Sequence, residues 1–469
     1  MSTQESASSP PAGRHAIVCG GSMAGLIAGG LLARHFERVT LVERDRIEEG
    51  PRQRKGVPQA QHLHGLLTRG MDILCDIYPG FREDLKAAGA RFLDMSAEHA
   101  WHMAGLWRPR LHSGVQFHAQ SRPLLEWTVR KRLLALPNVR VVDGREVTGF
   151  QVSPDKARVT GIQLRAPGGG QEETLEGELV VDATGRGSRT SQWLEALGYP
   201  RVEETRIHVD LGYASRICRP PPGFEPGWRL MSIFPNMPQE RRFGAIEQIE
   251  GGQWLVLLGG WHGEHPPMDD AGYLEFARSL RQPHLYQCLQ KAEPLGPISV
   301  YRFPHNQRRH FERMGRFPEG LAVVGDASCS FNPLYGQGIT TAALQVEVLG
   351  ACLRQGVEGV AQRYRRQAGR ALEVPWLLAT SGDLRFPEAE GPRPPGLGLL
   401  NWYSERFQRL AGHDEEALRT FVRVMHMLES PAAMFSPRFM LKVLTARPDA
   451  AALSRVPECP TSGSSSQAA

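Results

Sequence analysis

Three short segments set small residues beside an acid at spacings that suit a phosphorylated cofactor. In VCGGSMAGL, Gly20, Ser22 and Gly25 fill the three positions of a G-x-G-x-x-G turn. Such a turn lets backbone N–H groups and a helix N-terminus face a pyrophosphate. Ser22 replaces the middle glycine; it is small enough for the turn, and its hydroxyl can donate to a phosphate. Glu43 follows Gly20 at close to the ~20-residue offset at which a carboxylate accepts from ribose hydroxyls. The other two segments are VVDATGRGSRT, with Asp182, Gly185, Arg186, Ser188 and Arg189, and AVVGDASCSFNPLYGQGITTA, with Gly325, Asp326, Pro333, Gly336 and Gly338. Each places an acid at a strand end, ahead of a loop that leads to a helix. In the last, Asp326 is placed to accept from ribityl hydroxyls, and a helix starting near Gly338 aims its positive end at the pyrimidine side of an isoalloxazine, where reduction builds negative charge.

The elements that position these residues follow from hydrophobic periodicity. HAIVCGGSMAGLIAGGLLARHFERVTLVERD predicts a buried strand (16–19), a small-residue helix (23–35) and a second strand (39–43), a β-α-β unit opening a parallel sheet. A degenerate glycine turn alone is often only a loop; with strand, helix and Glu43 around it, it predicts a nucleotide site but leaves FAD and NAD both open. A meander over about 139–176 returns to a buried strand at 179–182, and a strand at 321–324 with a helix over 338–353 resumes the parallel pattern. Between them, RIHVDLGYASRIC and FGAIEQIEGGQWLVLLGG predict a separate antiparallel sheet. The expected organisation is a disordered segment 1–13, a discontinuous nucleotide-binding domain over 14–205 and 313–375, a substrate sheet over 206–312 to which part of 80–120 contributes, a helical region over 376–450 and a disordered tail 451–469.

Composition excludes several classes. With 41% hydrophobic and 22% charged residues the chain sits near globular averages, and its net charge of +5 is spread thinly, so no nucleic-acid partner is expected. Seven cysteines without a C-x-x-C pair indicate neither a disulfide framework nor a zinc site. The polar start MSTQESASSPPAGRH and the absence of a long apolar run predict a cytoplasmic protein. The pairs His62/His64 and His262/His265 lack further ligands at metal spacing, and the arginine-rich stretches 308–310 and 363–367 are expected to be solvated faces.

The three motifs, in this order over about residues 14–355, resemble the para-hydroxybenzoate hydroxylase superfamily of class A FAD-dependent monooxygenases. PRQRKGVPQAQHLHGLL, with GGSMAGL and LVERD, looks most like the branch of natural-product tailoring oxygenases that includes polyether epoxidases. The resemblance implies an α/β fold with a glutathione-reductase-like FAD domain, an antiparallel substrate domain and a helical carboxy-terminal region. The cofactor-binding residues it implies are Gly20, Gly21, Ser22, Met23, Gly25, Glu43 and Arg44; Arg54 and Lys55 in the basic loop; Arg122; Val147 through its backbone; Asp182 and Gly185; and Gly325, Asp326, Pro333, Gly336, Gln337, Gly338 and Ile339.

The resemblance also implies the chemistry. A flavin C4a-hydroperoxide would deliver one atom of O2 to an electron-rich carbon or alkene, with Pro333, Gly338 and Ile339 as the wall of the oxygen pocket. Epoxidation demands no dedicated base, and no catalytic acid or base is assigned. Trp228, Phe234 and Trp254 are candidates to line an apolar substrate pocket, although ordinary core packing explains any one of them as well. NADPH or NADH is expected as electron donor, directly or through a separate flavin reductase, because no second Rossmann unit is present. An alkene reductase of the geranylgeranyl-reductase type and a non-catalytic flavin-binding module remain as alternatives. A flavin halogenase is disfavoured, since GWRLMSIFP stands where its W-x-W-x-I-P signature would be.

Overall fold

In the computed structural model, which describes residues 12–445 and 456–460, the buried run 15–19 lies in the strand Gly13–Cys19. It is the centre of a five-stranded parallel sheet in the order Leu321–Val323, Leu179–Asp182, Gly13–Cys19, Phe36–Glu43, Val139–Asp143. The chain fills one side of the first strand and then the other, so the sheet has a switch point at the carboxyl end of Gly13–Cys19, where a crevice must open. Gly20, Glu43, Asp182 and Gly325 all stand at that carboxyl edge. Helices Met23–Leu32 and Gly338–Leu353 pack together over one face of the sheet, in a core with Leu26, Ile27, Val346 and Leu349. The meander Glu146–Val152, Val159–Arg165 and Glu173–Glu176 is antiparallel.

A larger mixed sheet runs from Cys329–Ser330 through Ser299–Arg309, Glu204–Arg219, Trp254–Gly260, Arg242–Gln248 and Leu230–Ile233 to His99–Met103 and Leu106–Trp107. It is antiparallel except where Leu230–Ile233 pairs with His99–Met103. The large sheet thus draws strands from both sides of 206–312. That span also carries two helices, Asp270–Arg278 and His284–Leu289, which cover the outer face of the sheet through Tyr273, Phe276 and Leu285. Helices Glu373–Asp383, Leu397–Leu410, Glu415–Met425 and Pro437–Thr445 lie beyond. Gly13 belongs to a strand, and Glu458 accepts from Trp228 Nε1 at 3.0 Å, so both expected disordered ends include ordered positions; residues 1–11, 446–455 and 461–469 lie outside the described residues. Among the described residues no helix is long and apolar enough to cross a membrane.

Candidate active site

The crevice at the switch point is a cavity of about 450 Å³, within the range of small-molecule sites. It is lined by Gly20–Ala24, Glu43, Arg44 and Arg145–Val147, and by Gly325, Asp326, Pro333, Gly336, Gly338 and Ile339. The turn is built by close approach. A Cβ at Gly25 would overlap the carbonyl oxygen of Gly20, and one at Gly20, whose φ is +106°, would stand 2.5 Å from the Ala183 carbonyl oxygen. Ser22 at the helix N-cap makes no capping bond, so the first N–H groups of Met23–Leu32 are left for an anion.

Ser22 faces the other way. Its hydroxyl receives a hydrogen bond from Arg122 Nη2 (2.9 Å) and donates to Glu126 Oε2 (3.0 Å), so its single proton is committed to the protein and not to a phosphate. Glu126 is the centre of a buried ion cluster: Arg54, Arg122 and Arg130 all reach its carboxylate, and Arg54 also pairs with Glu43 at 3.2 Å. Burial alone would raise Glu126; the three guanidiniums outweigh it and hold the carboxyl below its ordinary value. Burial likewise lowers Arg54, but Glu126 and Glu43 more than restore it. Arg122 Nη1 is buried with no partner among the described residues while Arg122 lines the cavity, the condition expected of a donor that awaits an anion. Arg122, Glu126 and Arg130 lie at i, i+4 and i+8 of one helix, a spacing that could have revealed the cluster from sequence.

The two strand-end acids have different roles. Asp182 accepts from Thr184 N (2.9 Å), Thr184 Oγ1 (2.6 Å), Thr190 Oγ1 (2.6 Å) and Ser188 Oγ, which saturates it with its own loop and turns it away from the cavity. The Asp326 carboxyl lines the cavity and accepts no hydrogen bond among the described residues. Burial pushes its carboxyl up to about 6, against the pull of Arg186, Arg122 and Arg309. The turn that carries it is pinned by Arg309, whose Nη1 donates to the Ala327 carbonyl at 2.7 Å. Arg308, Arg309 and Arg365 are therefore not solvated: their exposures are 6%, 6% and 8%, and each holds backbone carbonyls. A planar guanidinium with five donors ties loop carbonyls together, a use that a charge run in sequence does not disclose.

A second cavity, of about 370 Å³, lies beneath the large sheet and shares Leu63, Gly65, Tyr213, Pro333 and Gly336 with the first. Strand parity decides its lining. Trp101, Ser232, Ala245, Leu257 and Ser215 are register partners in one row across the sheet, and the first four of them face the cavity. Trp254 has the parity of Val256 and Leu258 and packs with Trp228 in the core on the opposite face, so neither tryptophan lines the pocket; Phe234 does. The opposing wall comes from the carboxy-terminal helices through Leu378, Gly382, Phe407, Phe421, Val422, Met425 and Met434. Two imidazoles, His99 and His426, also face in; burial pushes them down to about 3 and about 4, so both are neutral.

The remaining predicted residues are divided. Met23, Gly21 and Gly185 line the first cavity; Gln337 lines the second; Gly25 and Arg54 stand behind the turn, and Lys55 is exposed and outside both cavities. His62 and His64 are held within the protein: His62 Nδ1 bonds Ser215 Oγ at 2.9 Å, and His64, pushed down to about 3 by burial and then by Arg122, bonds the His62 carbonyl. Phe303, under the Arg186 guanidinium at 4.6 Å, and Tyr301 also line the first cavity.

A family profile described as FAD dependent oxidoreductase matches residues 16–189. Over 430 residues the chain is 32% identical to Protein Rv3254 of Mycobacterium tuberculosis, covering 89% of this chain and 90% of that one. Among solved structures it is similar to the flavin-dependent brominase Bmp2 (TM-score 0.63, 15% identity, 88% of this chain and 93% of that one). It is also similar to 2-methyl-3-hydroxypyridine-5-carboxylic acid oxygenase (TM-score 0.58, 19% identity, 79% and 91%). At these identities the two structures speak for the fold.

Proposed function

The chain belongs to the FAD-dependent oxidoreductases, with a class A flavoprotein monooxygenase fold, and on that premise we propose that it inserts one atom of O2 into an apolar alkene or aromatic substrate. The observation that carries the reading is the shared wall: Pro333 and Gly336, with Leu63, Gly65 and Tyr213, border both the charged crevice and the apolar cavity. A substrate in one is separated from a cofactor in the other by a single turn.

The residues present fit FAD. The uncapped helix start at Ser22 and the free Arg122 Nη1 would hold the pyrophosphate, and Glu43, whose oxygens already accept from Gly21 N (2.7 Å) and Asp45 N (2.9 Å), keeps lone pairs for a ribose. Asp326 would accept ribityl hydroxyls, and the helix start at Gly338 and Ile339 would meet the ring edge. When bound, FAD supplies two-electron chemistry and the activation of O2. The chain contributes orientation and dryness: Trp101, Leu230, Leu257, Phe117, Phe421 and Met425 exclude water from the reacting face. The neutral His99, hydrogen-bonded through Nε2 to Ser232 Oγ at 2.7 Å, gives the cavity one polar wall able to orient a hydroxyl.

Electrons would come from NADPH or NADH, directly or through a flavin reductase. The same dry cavity suits hydride delivery to an alkene, so the test must separate the two. Purified, FAD-loaded protein is given NAD(P)H with a panel of polyenes and phenols, and O2 uptake, H2O2 and product mass are followed. A substrate-linked gain of one oxygen atom supports the proposal; a gain of two hydrogens without O2 uptake replaces it with a reductase.

A further inference from the structure

The turn between the two cavities is held from the carboxy-terminal region, by a residue with no sequence motif around it. Asp383, the last residue of helix Glu373–Asp383, is fully buried. Its Oδ1 accepts from Asn332 Nδ2 (2.8 Å), Tyr335 Oη (3.0 Å) and Trp261 Nε1 (3.2 Å), and its Oδ2 accepts from Asn306 Nδ2 (2.7 Å). Asn306 in turn accepts from the Asn332 backbone N–H, and Asn332 Oδ1 accepts from Leu334 N at 3.0 Å. One carboxylate therefore gathers donors from the large sheet, from the end of strand Trp254–Gly260 and from the turn itself. The packing is cut to fit: a Cβ at Gly382 would collide with the Tyr335 hydroxyl. Phe331 and Trp376 close the network on the helix side, with ring centroids 6.2 Å apart.

We propose that Asp383 is a positioning residue that sets the Asn332–Gly338 turn, and with it the wall between cofactor and substrate. Pro333 and Gly336 in that turn border both cavities, and Tyr335, whose hydroxyl Asp383 holds, faces the apolar one. A carboxylate is required because every neighbour donates. The Asn306 amide cannot turn round to offer an acceptor, since its Oδ1 is already engaged by the Asn332 N–H. Asn at 383 would set an NH2 against the Asn306 NH2, leaving two buried donors without acceptors. The reverse pair, Asp at 306 with Asn at 383, restores an acceptor for every donor.

The inference rests on the proposed function through the placement of FAD beside Pro333, and its test reads binding and spectrum rather than turnover. Asp383→Asn, the double variant Asp383→Asn/Asn306→Asp, and Tyr335→Phe are titrated with FAD, and the visible band of the bound flavin and its fluorescence are recorded beside thermal unfolding. Asp383→Asn is expected to weaken FAD by about tenfold and to change the band, the scale of buried donors left unpaired. The double variant is expected to return both readings to within about twofold of the starting protein, and Tyr335→Phe to weaken FAD by about threefold. An Asp383→Asn protein with unaltered affinity and band overturns the proposal while the monooxygenase reading stands. If that variant does not fold, Tyr335→Phe decides: an unaltered band and affinity there overturn it. A starting protein that binds no FAD removes both readings, whereas one that binds FAD but transfers no oxygen removes only the monooxygenase.

Discussion

The two cavities that meet at Pro333 and Gly336 are built by opposite means. The cofactor crevice is made at the ends of parallel strands, from glycine turns, helix starts and a buried cluster of Arg54, Arg122, Arg130, Glu43 and Glu126. The apolar cavity is made from the face of a sheet and the sides of helices far along the chain, and most of its lining is apolar side chain. On the proposed function, the first would select its ligand by backbone shape and charge, and the second by volume and dryness. Single substitutions should therefore act differently in the two.

The largest effect is expected at Gly25. Gly25→Val drives a side chain into the Gly20 carbonyl and should abolish FAD binding in equilibrium titration; retained binding would mean that the turn does not hold the cofactor. Next is Glu126→Ala, which leaves three buried guanidiniums without their carboxylate and should lower unfolding stability by about 3–5 kcal/mol in denaturant titration. On the substrate side, two residues three positions apart on one strand separate core from cavity. Trp254→Ala should lower stability by about 3 kcal/mol without changing substrate range, whereas Leu257→Trp should fill the cavity and raise substrate KM by about tenfold at unchanged FAD affinity.

The smallest effect is one of pH. Burial raises Asp326 from 3.8 to about 6, so the folded apoprotein favours the neutral acid and loses stability from this group as pH rises across that window. FAD, donating hydroxyls, favours the ionised form. Its affinity should climb through pH about 6 and be about tenfold lower at pH ~5 than at pH ~8, and Asp326→Asn should flatten the profile. A profile that stays the same in the variant would place the titrating group elsewhere.

The division between what was legible and what was not follows the same line. Gly20, Gly25, Glu43, Asp326 and Gly338 could be singled out because a tight turn and a strand-end acid are local features, and the structure places them at the switch-point crevice or in its turn. Asp182 was misplaced by the same logic, since a strand-end acid looks alike whether its acceptors face a ligand or its own Ser188 and Thr190. Arg308 and Arg365 were assigned to the surface because sequence records charge and not the carbonyls that a guanidinium will meet.

The β-α-β unit and its nucleotide turn were readable from the sequence, because they depend on residues close along the chain, whereas FAD rather than NAD came from the resemblance of three motifs taken in order. Which face of the large sheet lines the pocket was settled by long-range packing. A one-residue change of parity separates Leu257 from its neighbours Val256 and Leu258, and with them Trp254, and nothing local marks which side the helices will cover. Long-range packing also decided that the carboxy-terminal helices complete the site, with Asp383 meeting Asn332 and Tyr335 across 51 and 48 residues of chain. A buried carboxylate takes its meaning from the donors that surround it, and folding alone brings those together.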